Sequence, residues 1–193
     1  SEIKNKKVKI VKPAKLDRKR VVRMAGKNAK YQLKKYILKK SKRKDYIPKT
    51  LKQLQADLSL DKIPRRIEAF DISHIKGKYT VASMVYFENA APKKSEYRRF
   101  KIKSVKGIDD YASMKEVVSR RYKRLLDEDK SLPDLILIDG GKGQLAAAKE
   151  ILDAMELEDI PIIGLAKRLE EIFVPAMSNS LILAKDSLSL TLL

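Results

Sequence analysis

Four consecutive aliphatic residues, Leu135-Ile136-Leu137-Ile138, run straight into Asp139-Gly140-Gly141-Lys142-Gly143. A strand with no polar alternation must be covered on both faces, the position of an inner strand in a parallel or mixed sheet flanked by helices. The surrounding sequence has the matching periods. Tyr111, Met114, Val117, Val118, Tyr122 and Leu125 recur at helical spacing over Asp109–Leu126, and Gln144–Met155 is an Ala-rich helix. Pro161-Ile162-Ile163-Gly164-Leu165 is a second buried strand. Upstream, Ile67–Ser73, Tyr79–Phe87 and Tyr97–Lys103 read as three strands of a meander, joined by Lys76-Gly77-Lys78 and Ala91-Pro92-Lys93. Ile172–Val174 and Leu181–Leu183 suit a hairpin, and Ser187 opens a last helix. The order βββαβαβ predicts an α/β domain, one mixed sheet with its two later buried strands parallel to the first.

Charge divides the chain at Arg66. Residues 1–66 hold 24 Lys/Arg against 5 Asp/Glu, whereas residues 67–193 hold 20 of each, so the whole net charge of +19 lies in the first third. This is a neutral domain, residues 61–193, behind a basic arm, residues 1–60. An arm of this kind favours a polyanion, because each phosphate it neutralises releases counterions; the alternative is a solubilising or linker segment with no fixed partner. Nucleic acid is preferred to a membrane surface, since the arm has few large apolar residues and the chain has no Trp. No apolar run approaches the ~20 residues of a membrane span. The absence of Cys excludes disulfides and thiolate metal sites and fits a reducing, cytoplasmic setting.

Within the arm, residues 1–15 read as a lysine-rich tail. Asp17–Lys44 reads as a helix capped by Asp17, with a stripe of Val22, Ala25, Ala29, Leu33 and Tyr36. After Pro48, Thr50 and Gln53 have capping-box spacing and introduce a shorter helix lined by Leu51, Leu54 and Leu58.

The chemistry-bearing residues stand at strand ends. Asp71 lies within Ile67-Glu68-Ala69-Phe70-Asp71-Ile72-Ser73-His74, and Asp139 closes the buried strand. Ligand sites in open α/β sheets form beyond the carboxyl ends of the strands. If the fourth strand lies beside the first, Asp71 and Asp139 share one crevice. Two close carboxylates repel unless a cation intervenes, and Mg²⁺ characteristically takes one or two carboxylates plus phosphate oxygens and water. Taken singly, Asp71 reads equally well as a buried hydrogen-bonded residue and Asp139 as a helix cap.

Gly140-Gly141-Lys142-Gly143 resembles a phosphate cradle at a helix N-terminus without the P-loop spacing, or simply a tight turn. Lys76, Arg120, Arg121 and Lys142 are candidate phosphate contacts. His74, the lone histidine, reads as structural or supporting rather than as the base, and no Gly-x-Ser-x-Gly elbow activates Ser73. Glu116 reads as a surface residue of the first crossover helix.

Six blocks in order resemble the C-terminal half of the UvrC family, over about residues 20 to 193: Ile67–Ile75, Val81–Val85, Tyr97–Ile102, Asp109–Met114, Leu135–Gln144 and Gly164–Lys167. UvrC proteins are components of the bacterial UvrABC excinuclease. The resemblance implies an RNase H-like endonuclease domain that makes the 5′ incision beside DNA lesions in nucleotide excision repair. It implies DNA and UvrB, with UvrA, as partners, Mg²⁺ or Mn²⁺ as cofactor, and Asp71 and Asp139 as catalytic metal ligands. The family's third active-site residue is a histidine in a segment that would follow Leu193, and a helix-hairpin-helix module would follow it. On that reading the 193 residues are a fragment or a truncated form. The alternative is a catalytically incompetent or scaffolding nucleic-acid-binding module that keeps the fold.

Overall fold

The computed structural model describes residues 15–45, 47–75, 79–105, 107–166, 171–175, 177, 179–184 and 186–193; side chains of 38–45, 75 and 79 are excluded from the description. The chain divides into two compact units, residues 1–46 and 47–193.

The first unit contains one long helix, α1 (Leu16–Asp45), close to the span its sequence predicts. Its described side chains, as far as Ile37, are all exposed.

The second unit opens with α2 (Lys49–Asp57). It begins one residue before the predicted cap. Pro48 is the N-cap residue, with φ −55° and ψ 142°, and no side chain caps the helix. The capping box is therefore not formed. Thr50 lies inside the first turn with its hydroxyl buried and unpartnered, and Gln53 instead donates to Asp57 at 2.7 Å. Leu51, Leu54 and Leu58 are buried. Net charge places α2 in the basic arm, but packing places it in the α/β unit, so the compact unit begins near residue 47 rather than 61.

Eight strands form one sheet among the described residues. The strands are β1 (Arg66–Ile75), β2 (Tyr79–Glu88), β3 (Ala91–Pro92), β4 (Arg98–Lys101), β5 (Leu135–Asp139), β6 (Ile162–Ala166), β7 (Glu171–Phe173) and β8 (Leu181–Ile182). The order is β3-β2-β1-β5-β6-β7-β8, with β4 also on β2. β3 and β4 pair with opposite ends of β2, so the segment expected to be a plain connector contributes a two-residue strand of its own. β1 runs antiparallel to β2 and parallel to β5, and β5 runs parallel to β6. The helices α3 (Asp110–Asp127) and α4 (Lys142–Ala154) are the crossovers, and α5 (Leu188–Leu192) follows β8. Asp109 caps α3 by accepting from the Ala112 amide at 2.9 Å, and Ser187 caps α5 in the same way.

Two cores sandwich the sheet. On one face Phe70, Ile136 and Ile138 pack with Met114, Val118 and Tyr122 of α3 and Leu145, Ala148 and Leu152 of α4. On the other, Ile67, Leu135, Leu137 and Ile163 pack with Leu51, Leu54 and Leu58, joined by Leu190 and Leu192 of α5. The period-two pleat thus sorts β1 and β5 between two helix layers.

The start of the β1–β5 pairing is fastened by Arg66 and Asp134. The Arg66 guanidinium donates to both Asp134 oxygens at 2.7 and 3.2 Å, and its backbone amide donates to Oδ2 at 2.8 Å. The Asp134 amide returns a bond to the Arg66 carbonyl at 2.8 Å. The Asp134 hydrogen bond also lifts the Arg66 pKa further above its usual value.

Candidate active site

Pairing runs without a bulge from Ile67↔Leu135 to Asp71↔Asp139. The two aspartates are therefore register partners on neighbouring parallel strands, which lie about 4.8 Å apart. Asp71 follows Ile67 and Ala69 by the strand period, and Asp139 follows Leu135 and Leu137. All four hydrophobic residues belong to the α2–α5 face, so both carboxylates occupy that face at the carboxyl end of β5. Both are half-buried. Ser73, next on the same face, donates its hydroxyl to Asp71 Oδ2 at 2.9 Å.

Asp139 is not a helix cap. Gly141 is the N-cap residue of α4, and the helix starts at Lys142, two residues earlier than the sequence period indicates. Two of the glycines allow close approach. A Cβ on Gly140 would overlap the Gln144 side chain, and one on Gly143 would lie 2.6 Å from the Tyr111 ring. Lys142 Nζ sits 5.5 Å from the centre of the Phe173 ring.

His74 belongs to the other face of β1. Its Nε2 lies 2.7 Å from Asp110 Oδ1 and, facing a carboxylate, carries the proton. Its Nδ1 lies 3.0 Å from the Thr80 hydroxyl across the hairpin. Gln144 Nε2 donates to Asp110 Oδ2 at 3.2 Å, so one carboxylate ties the end of β1 to the starts of α3 and α4. Ile108, Asp109, Asp110, Tyr111, Gly141, Gly143 and Gln144 line an open cleft of about 620 Å³ beside this junction.

The remaining candidates separate. Lys76 lies outside the described residues. Arg120 is occupied by Glu116 at 2.8 Å and the Lys101 carbonyl at 2.9 Å. Arg121 is not a surface residue. It is 7% exposed and grips Glu68 with Nη2 at 2.5 Å and Nε at 3.2 Å. Tyr122 donates its hydroxyl to the same carboxylate at 3.1 Å. Burial, then the Glu68 charge, pushes the Tyr122 phenol well above its usual pKa and keeps it a donor. Burial opposes the charge on Arg121, but the Glu68 hydrogen bond and charge outweigh it. A cation so committed cannot reach a phosphate.

Glu116 also departs from the surface reading, with a side chain only 8% exposed. It accepts from the Lys103 amide at 3.0 Å, the Ser104 amide at 2.8 Å, the Ser104 hydroxyl at 2.6 Å and Arg120. Burial alone would raise its pKa; these donors hold it down to about 2. Its oxygens anchor the loop after β4.

Sequence reasoning missed the Glu68–Arg121–Tyr122 cluster and the Asp110 junction. Glu68 had a usable signal. It shares the strand face of Phe70 and Ile72, where a carboxylate requires a buried donor. The Asp110 contacts join residues 34 and 36 positions apart and had none.

The described residues contain no cluster of three or more Asp, Glu, His or Cys side chains arranged to hold a metal. The protein offers two hard carboxylates, which fits a cation that completes its shell with water and phosphate oxygens.

A mixed sheet meandering through β1, β2 and β4, followed by helical crossovers between parallel strands and an acidic pair at its strand ends, defines an RNase H-like α/β domain. The model of the UvrC RNase H endonuclease domain matches residues 55–193. UvrABC system protein C of Salinibacter ruber is 49% identical over 177 residues, covering 90% of this chain and 28% of that protein. The Methanosarcina mazei protein of the same name is 47% identical, covering 96% and 33%. The chain belongs to the UvrC RNase H endonuclease domain family. It spans about a third of the length of these curated relatives. Ciona intestinalis endonuclease V, in a complex with inosine-containing DNA, overlies 60% of this chain and 55% of its own at 18% identity and a TM-score of 0.41, too loose an overlap to carry a functional argument.

Proposed function

We propose that residues 47–193 form the divalent-metal-dependent core of a DNA endonuclease, which within an excinuclease makes the 5′ incision beside a lesion. The in-register pair Asp71–Asp139 on one sheet face carries this reading. Asp71 and Asp139 would hold Mg²⁺ or Mn²⁺ between them, and Ser73 orients the Asp71 carboxylate by donating to Oδ2. When bound, such an ion activates water and offsets charge developing on a scissile phosphodiester. Lys142, in the first turn of α4 just beyond Asp139, would contribute positive charge to a phosphate there. His74 positions the end of β1 through Asp110 and Thr80 from the opposite face and does not join the carboxylates. DNA is the substrate in this reading, and UvrB, recruited with UvrA, the partner.

Calorimetric titration with Mn²⁺ tests the site. Wild-type protein binds the ion, and Asp71→Asn and Asp139→Asn each weaken binding at least tenfold. Equal affinity in all three proteins removes the site. Nicking of supercoiled plasmid by the same proteins then reports on catalysis separately from metal binding.

A further inference from the structure

The two units treat their cations differently. In the compact unit Arg66, Arg98, Lys115, Arg120, Arg121 and Arg124 are each engaged by a carboxylate. The helix α1 carries 13 Lys/Arg and only 2 Asp/Glu between Leu16 and Asp45. None of the ion pairs formed among the described residues includes a residue of α1.

Helical geometry sorts these charges. Arg20, Arg23, Lys27, Lys30 and Lys34 are spaced by three, four, three and four residues. At about 100° per residue they fall within about 80° of arc, on one line along the helix. Val22, Ala25, Ala29, Leu33 and Tyr36 fall on a separate arc, outside the basic line. All ten side chains are exposed. The acidic residue of the first turn, Asp17, lies off the basic line. From Arg20 to Lys34 the line runs about 21 Å, the axial span of about six phosphates on one strand of duplex DNA.

We infer that the line Arg20-Arg23-Lys27-Lys30-Lys34 is a binding site for the phosphodiester backbone of duplex DNA. It forms a continuous line of positive charge that no ion pair among the described residues engages. A lipid surface fits less well, because α1 has no Phe or Trp to seat in a bilayer and two of the five residues of its apolar arc are Ala. The inference does not rest on the carboxylate pair. It concerns affinity and its salt dependence, whereas the endonuclease reading concerns metal binding and cleavage, so either can fail alone.

The test is fluorescence anisotropy of a labelled duplex with the full chain, from about 50 to 200 mM KCl. A variant with Gln at Arg20, Arg23, Lys27, Lys30 and Lys34 should lower the slope of log affinity against log salt by about 4 to 5 in magnitude. A control with Gln at the exposed Lys52, Lys62, Lys94, Lys101 and Lys123 removes the same charge and should lower the slope by less than about 1. Ala at the five line positions, with higher helix propensity, must reproduce the Gln result. Equal effects of line and control variants would reduce the inference to net charge and overturn it. An unchanged slope in the line variants would also overturn it, as would loss of binding to phosphatidylserine vesicles without loss on DNA.

Discussion

Arg66 and Asp134 are fastened by a two-pronged ion pair and by backbone bonds in both directions, five residues before Asp71 on β1 and five before Asp139 on β5. Equal spacing on two parallel strands carries that alignment unchanged to the two carboxylates. Asp134→Ala removes three charge-assisted contacts and leaves Arg66 part-buried without its partner. We expect a loss of about 1–3 kcal/mol in urea unfolding. A loss below about 0.5 kcal/mol would mean that the pleat and core alone set the register.

The Glu68–Arg121–Tyr122 cluster predicts a larger effect. Glu68→Gln leaves a buried guanidinium uncompensated and should cost about 3–5 kcal/mol. Tyr122→Phe removes one donor while keeping the packed ring, and should cost about 1–2 kcal/mol. Similar small losses for both would show that water reaches Arg121.

Acid should weaken the loop after β4. The Glu116 pKa is about 2 in the fold against 4.5 ordinarily. A depressed folded value means the contribution is complete above the unfolded pKa and is lost as pH falls through the folded one. The stability gap between wild type and Glu116→Gln should therefore be full at pH 6 and shrink between about pH 5 and 2. A gap independent of pH over that window would contradict the assignment.

Gly164→Ala probes the floor of the site. A Cβ there would lie 3.1 Å from the Gly140 carbonyl and 3.3 Å from Leu145 Cβ, both on elements with little room to yield. Overpacking of this kind costs about 1–3 kcal/mol, read as a lowered melting temperature.

Metal linkage gives an independent check on the carboxylates. Mn²⁺ at about a hundred times its dissociation constant should stabilise wild-type protein by about 2.7 kcal/mol, or roughly 5–10 °C for a domain of this size. Asp71→Asn should show little response. An equal rise in both proteins would place the ion elsewhere.

The fold was legible where one period ruled. The apolar quartet Leu135–Ile138, the alternation in β1 and the connection rules together predict that β5 lies parallel to β1, and the register bears that out. Asp71 and Asp139 could be named because they interrupt or end those runs. Pro48 defeated the capping box, since its fixed φ already suits entry into the helix and leaves Thr50 inside the first turn. Charge misassigned α2, because a basic segment can still bury Leu51 and Leu54. Arg121 looked available because its charge was read as surface charge, although it stands within the apolar stripe of α3, four residues after Val117 and four before Leu125, where only a partner such as Glu68 lets a cation be buried.

β1 presents Asp71 and Ser73 to one helix layer and Glu68 and His74 to the other, with no bulge to absorb an error. One extra residue between Arg66 and Asp71 would turn the carboxylate inward against α3 and bring Phe70 out in its place. This segment can therefore drift by replacement of side chains but not by change of length, and a lineage that gained or lost a single codon there would forfeit the aspartate pairing and the core in the same event.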